Sequence, residues 1–525
     1  MKHVANFLGK TIYVYDPQIN CTEADLSSFL VQFNRLETLR IICDMSSQLF
    51  HGRRNSLTLG NVPVREDVLC DLAYRVLREC NEDNNLEMTA EQLELALRMC
   101  HRLNDSASTR EHQNAFEILL YIAYRQFAFQ EKNFNNFARN YYLYAELWQR
   151  VARCQHIDIL SEIESEIGIP YDFAILFAYA ICGNKNGHFW IYDEKAIDEL
   201  NCKTGLRLTV AYHEKFVKWC SADYDTILSI NSKLPPFIRH PIIATHSEPV
   251  QNKGEVFLVV SKQYLHDKLP SGLYFHLIDR FNKGGSNNKF KECFGYVFEE
   301  YIGQLLRFYF KNWEVIREIR YKKGKHFFQD SADWFVLKND KLIIIEVKQS
   351  SIFSQSKHNP SIENVRSDLI TTILHATKQL RTSHSDIESG KFPELERLSS
   401  AKSFVKLIVV NDPFYTSNFI VQCALEDNTV DKDVQIININ DFEIMLSNQK
   451  DTESLFDILY YKSINEKEMD FNEFIIKMFP HASTTVEFLA PIYDEFFNKL
   501  KIEDQDERQQ SGAAVNPHTL NPLGK

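Results

Sequence analysis

The segment that most restricts what this chain can fold into is Ser331–Lys348, SADWFVLKNDKLIIIEVK. Leu342–Ile345 is an apolar, β-branched run bounded by charges, the pattern of a buried strand. Lys338-Asn339-Asp340-Lys341 offers a tight turn, and SADWFVL reads as the strand before it. A two-residue Asn339-Asp340 turn pairs 338 with 341, and that register sets Asp333 opposite Glu346. Glu346 and Lys348 lie two residues apart, so both side chains leave the strand on one face.

Like charges opposed in a sheet repel, so this hairpin tip calls for a cation. Oxygen donors of this kind suit Mg²⁺ or Mn²⁺, which keep several waters and take phosphate oxygens as further ligands. The carbonyl of Val347 is one more candidate ligand. Lys348 would then stand beside an attacked phosphate, where it stabilises developing negative charge. The competing explanation is a surface ion-pair cluster. A second acidic-Lys run, Asp193-Glu194-Lys195, follows the strand-like HFWIY but has no Asp on a preceding hairpin strand.

The rest of the chain divides into five stretches. Residues 1–230 are mainly helical: Leu26, Phe29, Leu30, Phe33, Leu36, Leu39 and Ile42 form one helical stripe within 22–50. Thr89 and Gln92 form a capping box, and 115–151 reads as an aromatic-rich helical hairpin. Residues 231–285 read as a connecting segment that holds one strand-like run, GEVFLVV at 254–260, with NKGGSNNK at 282–289 the most linker-like stretch. Residues 286–445 predict a mixed sheet with helices on its faces. Its helix spans 290–311, its strands lie near 314–320, 331–337, 341–349, 403–411, 417–425 and 434–440, and a second helix spans 362–380. Helices are expected over 446–502, and the polar tail 503–525 has little to bury and reads as disordered. The 17 Gly and 15 Pro are about half the average share, which favours long helices. The fold class expected is therefore multidomain, α plus α/β.

The hairpin resembles the restriction-endonuclease-like superfamily, the PD-(D/E)xK nucleases, over about 290–440. Asp333 matches the motif's Asp, Glu346 its second acid and Lys348 its Lys. Ala332 stands where the namesake motif has Pro. The resemblance implies a metal-binding acid on the helix before the sheet, and Glu299 in FGYVFEEYIGQLL fits that place because it borders the apolar face. It also implies a Lys or Gln on the following helix that faces the scissile phosphate, with Lys378 and Gln379 as the matching pair. The implied activity is Mg²⁺-dependent (or Mn²⁺-dependent) hydrolysis of nucleic acid, foremost double-stranded DNA. A prokaryotic restriction or anti-phage defence effector is the implied role. The helical N-terminal region would bind a partner protein or a second copy of the chain.

The charge fits one locus rather than a basic coat. The chain carries 59 Lys and Arg against 71 Asp and Glu, a formal charge of −12. Between 281 and 326, however, ten basic residues face five acidic ones. Arg320, Lys322, Lys323 and Lys325 lead straight into the Asp333 strand, placed to track a phosphate backbone. Two other readings compete: a nuclease-like module that binds nucleic acid without cutting it, and an RNase or tRNA-cleaving toxin on the same fold. Eleven scattered cysteines with no CxxC pair, no apolar leader and no membrane-length run predict a cytoplasmic protein with reduced thiols and no membrane partner. The longest apolar run, Phe173–Cys182, reads as a buried helix.

Overall fold

A computed structural model describes residues 2–7, 10–15, 18–52, 57–111, 126, 135–230, 235–245, 256–282, 288–349, 367, 369–411, 433–449 and 451–500. The strand expected at 417–425, the tail at 503–525, most of the 282–289 run and the first turns of the 362–380 helix lie outside the described residues.

The mixed sheet forms within the expected stretch. Helix α1 (Lys289–Tyr309) begins at Asn288, whose side chain accepts the N–H of Lys291. Three strands follow: β1 (Glu314–Arg317), β2 (Trp334–Lys338) and β3 (Lys341–Lys348). Helix α2 (His375–Ser389) continues a π-helical turn at Ile370–Leu374. After it come β4 (Ser403–Val410) and β5 (Val434–Asn438), then helices α3 (Ile439–Ser447) and α4 (Thr452–Asn465). The sheet order is β5-β4-β3-β2-β1. β2 runs antiparallel to both β1 and β3, whereas β3, β4 and β5 are parallel. A parallel neighbour requires a crossover connection, and α2 supplies it between β3 and β4.

The register follows from the turn. Asn339 takes a left-handed φ of 53°, which Asn tolerates better than most residues. Lys338 pairs with Lys341, and Trp334 with Ile345, so the next step of the ladder brings Asp333 and Glu346 together. Alternation along β3 then sorts the faces. Ile343, Ile345 and Val347 share a core with Val297, Phe298 and Tyr301 of α1, while Leu342 and Ile344 share another with Ile373, Ala376 and Leu380 beside α2. Each such side chain contributes about 1.5–3 kcal/mol through burial. Where α1 crosses β2, Gly303 meets the indole of Trp334 so closely that a Cβ there would lie 2.2 Å from the ring.

Two sequence expectations need correction. The stripe within 22–50 is two helices, Glu23–Leu30 and Arg35–His51. Asn34 divides them: its side chain accepts the N–H of Glu37 at 3.0 Å and donates to the carbonyls of Glu82 and Asn84. The segment 231–285 is also more than a connector. Its strands Ile242–Ala244 and Val256–Val259 join His188–Trp190 and Ser221–Ala222 in a four-stranded sheet. Two of the four match strand-like runs of the sequence, HFWIY at 188–192 and GEVFLVV at 254–260, whereas Ser221–Ala222 and Ile242–Ala244 carry too few residues to display a period of two.

One core draws residues from the stretches 1–230, 231–285, 286–445 and 446–502. Phe137, Trp148, Leu273, Phe294, Ile343 and Phe496 all belong to it. No single helix among the described residues is long and apolar enough to cross a membrane. Ile159–Ile167 and Tyr171–Gly183 reach that apolarity only as a pair bent by 50°. Residues of both, Ile163, Ala174 and Ala178 among them, are buried in the same core.

Candidate active site

The site lies at the ends of β2 and β3, on the face covered by α2. Asp333 immediately precedes β2 and is tied to both neighbouring strands. Its main-chain carbonyl accepts the N–H of Glu318 at 2.7 Å, and its Oδ2 accepts the N–H of Val347 at 2.6 Å. The approach to it is also fastened. Ser331 Oγ receives the N–H of Ile319 at 2.8 Å, and the N–H of Ala332 donates to Ser383 Oγ on α2 at 2.8 Å. Proline has no N–H, so Pro at position 332 would forfeit that bond. Ala332 keeps the N–H that this contact uses.

Glu346 is fully buried. Its Oε1 accepts from Lys348 Nζ at 2.6 Å, while its Oε2 is buried with no hydrogen-bond partner. Lys348 Nζ also donates to Gln379 Oε1 of α2 at 3.3 Å. Burial, joined by the charge of Glu346, holds the Asp333 carboxyl well above the usual carboxylate range; Lys348 and the Val347 N–H oppose that shift. Burial likewise pushes Glu346 up to about 7, against the pull of Lys348 and with a further push from Glu318. At Lys348 burial favours the neutral amine, but Glu346 and Asp333 outweigh it and keep the ammonium charged beyond its ordinary range. The negative charge here exceeds what one ammonium satisfies.

The other residues singled out from sequence are placed unequally. Glu299 pairs with Arg317 at 2.7 Å, yet its charge reaches both Asp333 and Lys348. Val347 lays its main chain against Asp333. Of the α2 pair, Gln379 reaches Lys348, while Lys378 is exposed. Arg320 and Lys322 lie on a two-stranded ribbon, Arg320–Lys322 against Phe328–Asp330. Lys323 and Lys325 lie in its turn, and Lys323 is neutralised by Asp386 at 2.6 Å.

Sequence reasoning missed Glu318 and Gln349. The β1–β2 register, Arg317 with Trp334, puts Glu318 opposite Asp333 at the next step, a signal as readable as the one that found Glu346. Burial, with Asp330 and Glu299, raises the Glu318 carboxyl. Gln349 continues β3 toward Gly295 of α1, and its Oε1 is buried without a partner. Among the described residues no group of three or more His, Cys, Asp or Glu side chains is arranged to hold a metal ion. Comparison with protein-family models, with curated proteins and with solved structures found no match to this chain.

Proposed function

We propose that this protein is a nuclease that hydrolyses phosphodiester bonds with a divalent cation, Mg²⁺ or Mn²⁺, held at Asp333 and Glu346. The observation that carries this reading is the orphaned Oε2 of fully buried Glu346, set beside the half-buried carboxyl of Asp333. A buried carboxylate oxygen without a donor is costly, and a second acid beside it adds repulsion. A hard cation relieves both costs, and hard cations choose oxygen donors. Asp333 and Glu346 would hold the ion, with the Val347 carbonyl adjacent and Glu299 and Glu318 adding negative potential from the margin. When bound, it would supply Lewis acidity to a phosphate oxygen and acidify a water.

The chain's own residues do the rest. Lys348 stays charged and offers its ammonium to the negative charge that develops on phosphorus oxygens. Gln379 orients that ammonium, and the Val347 N–H fixes the Asp333 carboxylate. Position 332 adds rigidity through Ser383.

The test is purified protein with Mg²⁺ or Mn²⁺ on duplex DNA, single-stranded DNA and RNA. Asp333→Asn and Lys348→Ala should each lower cleavage by about 10²-fold or more, the scale for losing one group that stabilises transition-state charge. Either variant cutting at the parent rate, with its folding verified by circular dichroism, refutes the assignment. Binding without cleavage of any substrate in any metal selects the non-catalytic binding module instead. The same substrate panel separates a DNase from an RNase.

A further inference from the structure

We infer that the ribbon at 320–330 is an arm that stacks on unpaired bases, so that the substrate class is single-stranded or locally unpaired nucleic acid. This rests on the nuclease reading of the adjoining site.

Phe327 is 58% and Phe328 51% exposed, and Phe327 is the most exposed large apolar side chain among the described residues. Two neighbouring phenyl rings in water are an unspent hydrophobic surface. Their root is rigid. Tyr321 is fully buried, donates its hydroxyl to Asp386 and packs its ring 5.0 Å from that of Phe392. The N–H of Lys322 donates to Glu394, and the N–H groups of Lys323 and Gly324 close the turn on the carbonyl of Phe327 at 3.0 and 3.2 Å. The rings are therefore presented rather than left on a loose loop.

The charge around them selects the partner. Lys322 and Lys325 are exposed and make no ion pair among the described residues. Arg320 lies 5.5 Å above the ring of Phe328 and 3.8 Å from Asp330. Cations interleaved with aromatic faces are the recognition chemistry of single strands: lysines follow the phosphates and rings take the bases. A paired, stacked base hides its faces, so a duplex gains only the phosphate contacts. On a chain of −12 overall those contacts are weak, and stacking supplies affinity that the acidic body does not oppose. Asp333 stands five positions after Phe328, a reach of at most about 18 Å, so a base held on the arm lies close to a phosphate at Glu346.

The test uses fluorescence anisotropy with the full-length Lys348→Ala protein in metal-free buffer, where the expected loss of cleavage leaves the probes intact. The probes are labelled oligothymidylate of about 20 nucleotides, longer than one stacking site, and a duplex of equal length. The single strand should bind more tightly than the duplex. Phe327→Ala and Phe328→Ala should each weaken single-strand binding about fivefold or more, with no change in the slope of log affinity against log salt. Phe327→Trp should retain it. Lys322→Ala with Lys325→Ala should instead reduce that slope.

Unchanged single-strand binding in the double Phe→Ala variant overturns the arm. So does duplex binding as tight as single-strand binding, and so does loss of self-association in that variant with no effect on either probe. The two readings fail separately. Parent protein that cuts duplex DNA regardless of Phe327 and Phe328 overturns the arm and keeps the nuclease. Ring-dependent binding with no cleavage of any substrate overturns the nuclease and keeps the arm.

Discussion

Two glutamates of this chain are equally buried and opposite in what they do. Glu443 and Glu346 are each fully inaccessible. Glu443, on α3, accepts from Arg139 Nη1 at 2.7 Å on one oxygen and from the Tyr301 hydroxyl on the other. Arg139 is held in turn by Asn440 at 2.6 Å. Burial raises the Glu443 carboxyl, and Arg139 and Tyr301 pull it back. Each oxygen has a donor, and the result is a rivet between the helix at 135–141 and α3. Glu346 has one ammonium for two carboxylates and a bare oxygen. Desolvation alone therefore does not mark a working site. At Glu346 the uncompensated remainder is a cost that a bound proton or an added cation would remove.

The comparison can be broken at four points, in decreasing order of effect. Glu443→Ala leaves the Arg139 guanidinium buried and unpaired, and should destabilise the protein by about 3–5 kcal/mol, read as a fall in the thermal midpoint. A loss below about 1 kcal/mol would show that the rivet is cosmetic.

The second point is pH. Glu346 has an ordinary value of 4.5 and a folded one of about 7. Between those values the native state holds a proton that the unfolded state has released. The contribution of Glu346 to stability therefore falls as pH rises from 4.5 to 7 and levels off above, by on the order of a few kcal/mol; Asp333, shifted the same way, adds a fall of its own that begins near 3.8. Mg²⁺ should reverse the loss, raising the thermal midpoint at pH 8 more than at pH 5. A pH-independent metal response would contradict it.

Third, Glu346→Gln removes the buried charge while keeping the shape. It should abolish cleavage yet raise stability at pH 8 without metal by roughly 1 kcal/mol, the sign expected when an uncompensated buried charge is neutralised. Glu443→Gln should do the reverse. The smallest effect belongs to the other acidic-Lys run. Asp193 caps a helix by accepting the N–H of Ala196 at 2.8 Å, and Glu194 is exposed. Glu194→Gln should shift stability by less than about 0.5 kcal/mol and leave cleavage unchanged.

Local features were legible in the sequence and distant ones were not. The apolar run of β3, the turn at Asn339 and the opposition of Asp333 and Glu346 depend on residues within one hairpin, where period and turn length determine register. The capping box held too: Thr89 and Gln92 exchange main-chain bonds at 2.8 and 3.3 Å. The choice between Lys378 and Gln379 was not legible, because it depends on helical phase and the π-helical turn at Ile370–Leu374 shifts that phase. The rivet was hidden for a different reason. Arg139 and Glu443 are 304 positions apart, and nothing in either neighbourhood names the other. Packing of the N-terminal helices into the same core as the sheet is a property of surfaces that meet only after both have formed, so no local pattern in the sequence announces it.

The contact between Gly303 and Trp334 acts as a thickness gauge. The indole lies on bare main chain, and its Nε1 donates to the carbonyl of Glu299, one turn earlier on α1. Asp333 is the residue covalently before that indole. The width of one aromatic ring thus sets how far the acid on the helix stands from the acid on the sheet. Any side chain at position 303 would shim the two layers apart and carry the two acids out of alignment together. A residue with no functional group calibrates the spacing between two that have one.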